Sequence, residues 1–296
     1  MEDFPFGTGA SRSTEDKRDH KDEEISFAFP FPAIYESNIS IIVPENVKNQ
    51  KKIGICTASL VYYIEYLYWK KYGAYVKLSI AFLYLITKRH IDNNDFEGSS
   101  LRSALKAAQK YGVCTEASFP SNTDLSYFDF MKQKLTPALM EEALLYKIGE
   151  YVSVPIEPNL IAGSIYKNGM VYARVCIDFH WWKPSWLTSD IDPLQKPVGE
   201  YTGHAVHIVG YNDTGEKTKL KVLNTWSRDW NNNGQGTIEY ENYLPYLTEA
   251  WAVTLDPVSK NGPDNSPIIS LETIRQLVAI LKRFGTSAKS AFGFIK

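Results

Sequence analysis

Apolar residues crowd every face of the stretch TASLVYYIEYLYWKKY, residues 57–72, which stops at Gly73. A helix apolar nearly all round is one buried at the centre of a domain, and a following glycine supplies the closing residue. Helical spacing continues over residues 79–90 and Leu101–Tyr111, the second closed by Gly112, and ALMEEALLYKIG after Pro137 carries a fourth helical pattern. Beyond it the texture changes. MVYARVCIDF, GHAVHIVGYN, KLKVLNTWS, GTIEYENY and EAWAVTL are short apolar or alternating runs split by Gly, Asn and Asp, the signature of strands. Helices first and strands second predict an α+β protein of two lobes, a helical one over about 50–135 and a β lobe over about 150–257.

The flanks read differently. Residues 1–24 are charged and poor in aliphatics, which predicts a flexible polar arm. The folded body then spans 25–257, beginning with a Pro-punctuated extended segment. After a polar linker from residue 258, the segment 268–284 places Ile274, Leu277, Val278 and Leu281 on one helical face. This amphipathic helix is expected to dock on the body of the same chain, in preference to a partner protein or a membrane surface.

Composition narrows the function classes. Lys plus Arg number 32 against 34 Asp plus Glu, a net charge of −2, so no basic field favours nucleic acid. No apolar run approaches the length of a membrane span, and the N-terminus lacks the pattern of a secretory signal. The 3 cysteines, Cys56, Cys114 and Cys176, are too few and scattered for a disulfide framework or a metal site. A soluble, intracellular protein without metal or cofactor is expected.

Three residues carry candidate chemistry. Cys56 follows a glycine-containing turn at Gly54 and precedes the long buried helix, where the helix dipole and free N–H groups favour a thiolate. A lone cysteine is also commonly a small buried hydrophobe. His204 starts the apolar run GHAVHIVGY, and a histidine there is more often a core residue than a catalyst. His207 lies an odd number of residues away, hence on the opposite sheet face. Asn224 ends a strand pattern, where asparagine also serves as a turn residue.

Together these segments resemble the papain-like cysteine peptidases, peptidase family C1, in a compact disulfide-free form. The first block runs from Asn49 and Gln50 through Gly54 to Cys56, Thr57 and Ala58; the second is Gly203-His204-Ala205-Val206 through Gly210 and Tyr211; the third is Asn224-Thr225-Trp226, Trp230 and Asn233-Gly234. The resemblance covers most of the chain and implies the two-lobe fold, with Cys56 on the central helix and His204 and Asn224 on an antiparallel sheet or barrel. It further implies Cys56 as nucleophile, His204 as its base in an ion pair, Asn224 orienting the imidazole, and Gln50 in the oxyanion hole. Trp226 would cover the His204–Asn224 hydrogen bond, Gly98 and Ser99 would pair with substrate main chain, and Gly203 would make one wall of the second subsite small. A plain turn with a serine N-cap is an equal reading of the Gly98–Ser99 strip.

The implied function is a thiol-dependent endopeptidase acting on a peptide or protein substrate. Two alternatives stand beside it: an acyl or peptide transferase using the same thioester, and an inactive binding module. The cysteine that secreted relatives carry three residues before the nucleophile is replaced by Ile53. That fits a reducing compartment, and similar compact members occur in microbes and large DNA viruses. The chain before Cys56 is too short for a long inhibitory propeptide, so any latency must be achieved differently.

Overall fold

Serine and glycine punctuate the helices where the sequence places them. The computed structural model describes residues 6–14, 16, 32–36, 44–182 and 194–255. The expected helix over 268–284, the linker before it and much of the N-terminal arm lie outside the described residues. In chain order the elements begin with β1 (Ala10–Ser11) and β2 (Ile34–Glu36). A 3-10 turn, Cys56–Leu60, then runs straight into α1 (Val61–Tyr72). Gly73 closes α1 in the left-handed region, its N–H bonded to the Trp69 carbonyl. Next come α2 (Ile80–Thr87), β3 (Ser99–Ser100) and α3 (Leu101–Tyr111). Ser79 and Ser100 cap α2 and α3 by accepting from Phe82 N–H and Ser103 N–H.

The second half contains α4 (Tyr127–Met131), α5 (Pro137–Ala143), β4 (Ile148–Ser153), α6 (Pro158–Asn168), β5 (Val171–Ile177), β6 (Thr202–Asn212), β7 (Lys219–Leu223), β8 (Gln235–Glu239), α7 (Tyr240–Tyr243) and β9 (Leu247–Leu255). Two local expectations fail. The fourth helical pattern stops at Ala143, and Ile148 enters a strand. The helix α6 was not anticipated, although Pro158 opens it and Gly169 ends it in the left-handed region.

The large sheet has the order β4-β9-β5-β6-β7-β8, with β2 pairing β6 as well. All its pairings are antiparallel. The expectation of a barrel is not met, because β4 and β8 end the order without pairing each other. The sheet buries its faces otherwise. Tyr172, Ala205, Val209 and Trp251 join a core with α1, α2 and α3, while Val171, Val206, Ile208 and Val222 pack with α6 and Trp181, Trp226 and Trp230.

Within the helical core, Lys48 and Glu65 are both buried and their side chains meet at 2.6 Å. Glu65 also accepts from Leu78 N–H and the Tyr75 hydroxyl, tying the segment before Cys56 to α1 and the start of α2. Burial pushes the Glu65 carboxyl upward and Lys48 opposes it. Removing one partner of such a pair leaves an uncompensated buried charge. Glu65→Gln is therefore expected to lower unfolding free energy by about 3–5 kcal/mol in denaturant titration; a loss under about 1 kcal/mol would show that the pair does not hold this region.

Candidate active site

Cys56 is fully buried at the first position of the 3-10 turn that feeds α1. N–H groups of Ala205, Cys56 itself, Thr57 and Ala10 approach its sulfur and favour the thiolate, but burial outweighs them and pushes the thiol up to about 11. Ala205 follows His204 on β6, so Cys56 of the helical lobe and the histidine of the sheet are brought to one seam.

His204 Nε2 lies 2.7 Å from Asn224 Oδ1. Thr225 N–H donates to the same Asn224 oxygen at 2.7 Å, so that atom is an acceptor and Nε2 must carry the proton. Nδ1 is thereby left with its lone pair. It is buried and has no hydrogen-bond partner among the described residues, the Cys56 sulfur included. Trp226 packs against this pair, its ring centroid 4.5 Å from that of His204. Burial drives His204 down to about 4 despite the Asn224 bond. In this occluded state burial thus opposes both members of the expected ion pair, the thiolate and the imidazolium. His207 takes the other face, bonding the Ser59 carbonyl at 2.9 Å, and is held down to about 3 by burial.

The occlusion comes from residues 6–14, expected to be part of a flexible arm but seated along the cleft. The Gln50 side chain, fixed by the Thr225 hydroxyl on its Oε1, donates from Nε2 to the Gly7 carbonyl at 2.9 Å. Trp226 Nε1 donates to the same carbonyl at 3.2 Å, and the Phe6 ring stacks on Trp226 at 5.1 Å. Gly9 donates to the Gly203 carbonyl and accepts from Ser99 N–H at 2.9 Å. The segment β1 pairs with β3 in parallel, Ala10 opposite Ser99. Residues expected to belong to a flexible arm thus pair with the cleft wall.

Two expectations about the walls need correction. Within the glycine strip it is Ser99 that offers its main chain. Gly98 has its N–H bonded to the Tyr84 hydroxyl and its carbonyl to the buried Lys88 ammonium. What Gly98 contributes is closeness: a side chain on the facing Gly9 would stand 3.0 Å from Gly98 Cα and 2.8 Å from the Gly54 carbonyl. The space beside Gly203 is not open either, since the Ala10 carbonyl and the Arg174 guanidinium fill it. Arg174, Tyr84, Lys88 and Trp182, whose indole N–H donates to the Phe6 carbonyl at 2.9 Å, escaped the sequence analysis; only glycines in an otherwise polar arm hinted at the seated segment.

Among the described residues, no cluster of His, Cys, Asp and Glu could hold a metal ion, and no helix is long and apolar enough to cross a membrane. The model of the papain family cysteine proteases matches residues 38–249. The chain belongs to this family. An uncharacterised peptidase C1-like protein of Acanthamoeba polyphaga mimivirus is 23% identical over 235 residues, 73% of each chain. Among solved structures, xylellain, a cysteine protease from Xylella fastidiosa, is similar with a TM-score of 0.68 at 20% identity, covering 85% of this chain and 97% of that one. Digestive procathepsin L 3 of Tenebrio molitor has a TM-score of 0.59 at 18% identity, covering 85% and 77%.

The seated segment sets the accessibility of Cys56 in this papain-family chain. A Gly9→Val variant should lose the close approach to Gly98 and Gly54 and so loosen the segment. Its Cys56 should be alkylated by iodoacetamide at least about tenfold faster at pH 7.5 than in the parent, since a solvated thiol titrates near 8.5. In the parent the rate should keep climbing toward pH 11, because the thiolate fraction falls tenfold per unit below the elevated pKa. Equal rates and equal pH profiles, read by mapping the labelled peptide, would show that the segment does not shield the sulfur.

Proposed function

We propose that this chain is a thiol-dependent endopeptidase that hydrolyses peptide bonds through a Cys56 thioester. The observation that carries this is the His204–Asn224 hydrogen bond, which leaves Nδ1 as a free acceptor at the seam where Cys56 lies. A peptide segment already runs across that seam with a carbonyl on Gln50.

Once substrate replaces the segment, His204 Nδ1 takes the thiol proton and the sulfur attacks the scissile carbonyl carbon. Negative charge develops on the carbonyl oxygen, where the Gln50 amide and the Cys56 N–H donate. The carbon–nitrogen bond breaks as His204 returns its proton to the leaving amine, and the acyl group stays on Cys56. Water then attacks the thioester with His204 as base, releasing the acid and restoring the thiol. Asn224 accepts from Nε2–H throughout, holding the ring in one tautomer and stabilising the imidazolium. Trp226 keeps water from that bond.

Kinetics on a peptide substrate test these roles. Cys56→Ala and His204→Ala should lower kcat by roughly three orders of magnitude or more, whereas His207→Gln should alter stability and leave kcat within a few-fold. Gln50→Ala should cost about a hundredfold in kcat, about 3 kcal/mol of oxyanion stabilisation. Asn224→Ala should cost less than Cys56→Ala because the nucleophile remains. Undiminished turnover in Cys56→Ala would remove the thiol from the reaction.

A further inference from the structure

The seated segment acts as a ligand whose contacts reveal a subsite. Ala10 is 3% exposed while Ser11 beside it is exposed, so the strand turns the Ala10 methyl inward and Ser11 outward. Pairing with Ser99, in either chain direction, brings one side chain of an occupant to that floor. The sheet supplies the facing wall. Arg174 on β5 pairs in register with Ala205 on β6 and Glu249 on β9, which puts the three on one sheet face.

Arg174 is the unexpected member of this wall, a half-buried cation within the apolar strand VYARVCI. Its Nε donates to the Ala10 carbonyl at 2.8 Å. One terminal nitrogen, Nη1, reaches Thr248 Oγ1 at 2.8 Å and Cys176 Sγ at 3.5 Å. The Thr248 hydroxyl in turn donates to the Arg174 carbonyl at 3.3 Å, fixing side chain and main chain together. The other terminal nitrogen, Nη2, fills the space that Gly203 leaves. None of these acceptors is a carboxylate. Glu249, the acidic neighbour, accepts from Ser13 N–H at 2.6 Å and from Trp251 Nε1 at 3.4 Å. A second cation, Arg102, stacks over the Trp251 ring at 5.3 Å.

We propose that Arg174 determines specificity in this cleft: its guanidinium fills the subsite that Ala10 occupies, so that a small or acidic side chain is accepted there and a large apolar or cationic one is rejected. A leucine would have to displace a guanidinium that the sheet holds through Thr248 Oγ1 and Cys176 Sγ. A lysine would meet like charge. A glutamate would gain a charge-assisted hydrogen bond from Nη2. The substrate part of this proposal rests on the peptidase reading; the subsite itself does not.

Two arms keep those apart. In the full chain, Ala10→Leu should expel the segment and Ala10→Glu should retain it, so iodoacetamide should label Cys56 at least tenfold faster in Ala10→Leu than in Ala10→Glu. Adding Arg174→Ala to both should abolish or invert that ratio. This arm needs no turnover. In the second arm, full-chain Gly9→Val is given peptides differing only at the residue that pairs with Ser99, carrying Ala, Glu, Leu or Lys. Its kcat/KM should favour Ala and Glu over Leu and Lys at least tenfold, and Arg174→Ala should move the preference to Leu. The expected labelling ratio with no peptide cleaved would uphold the subsite and overturn the peptidase reading. Cleavage favouring Leu in the presence of Arg174, or labelling independent of Arg174, would overturn the proposal.

Discussion

Exclusion of water from the seam between α1 and β6 decides the state of everything at the candidate active centre. Cys56, His204, Asn224 and Gln50 all have 0% exposure. At that depth a charge is costly and a hydrogen bond is strong. The same burial therefore has two opposite consequences. It strengthens the His204–Asn224 bond that fixes the imidazole tautomer, and it suppresses the thiolate and imidazolium that chemistry needs. N–H groups of four residues point toward the sulfur and still do not offset desolvation. The seated segment supplies one of those donors, Ala10, while adding to the burial, so it stabilises the centre in its uncharged form.

The two faces of β6 divide the labour around this seam. Alternation sends His204 to Asn224 and Trp226, and His207 to Ser59 in the turn that carries Cys56. His207 lies between aromatic rings, stacked on Tyr172 with centroids 5.1 Å apart. Tyr172 itself donates to the Thr57 carbonyl, next to Cys56. The packing on one face thus positions the Cys56 turn against the strand whose other face positions His204. Two histidines in one strand, chemically alike, become a structural group and a candidate base through parity alone.

Much of this was legible in the sequence because the informative features were local. Ser79, Ser100, Gly73 and Gly112 mark helix ends by capping and backbone handedness, which single residues encode. The three motif blocks singled out Cys56, His204, Asn224 and Gln50, which the fold brings to one buried seam. What stayed hidden depends on partners distant in sequence. Whether the sheet closes turns on a pairing of β4 with β8 that no local pattern announces. The availability of Gly98 turns on Tyr84 and Lys88, and the space beside Gly203 on a side chain from another strand. The helix α6 is a different failure: its proline start and glycine end were present, but its weak amphipathic contrast hid them among the strands.

The fit of the N-terminal segment is set by backbone rather than by side chains, and this limits how tightly it holds. Ordering a residue costs about 1–2 kcal/mol, and a net hydrogen bond returns about 1 kcal/mol. Over 6–14 the segment makes roughly one such bond per residue to the cleft, so these terms nearly cancel. Its few side-chain anchors, Phe6 on Trp226 and the inward methyl of Ala10, then tip the balance. A segment held so marginally, yet tethered to the same chain at high effective concentration, can cover the candidate centre at rest and still yield to a peptide that makes the same main-chain bonds and fills its subsites better. The glycines follow from the same geometry. Only a chain without side chains at positions 7 and 9 can lie this close to residues 53, 54 and 98, so the features that let it enter the cleft also deny it the side-chain contacts that would make it hard to displace.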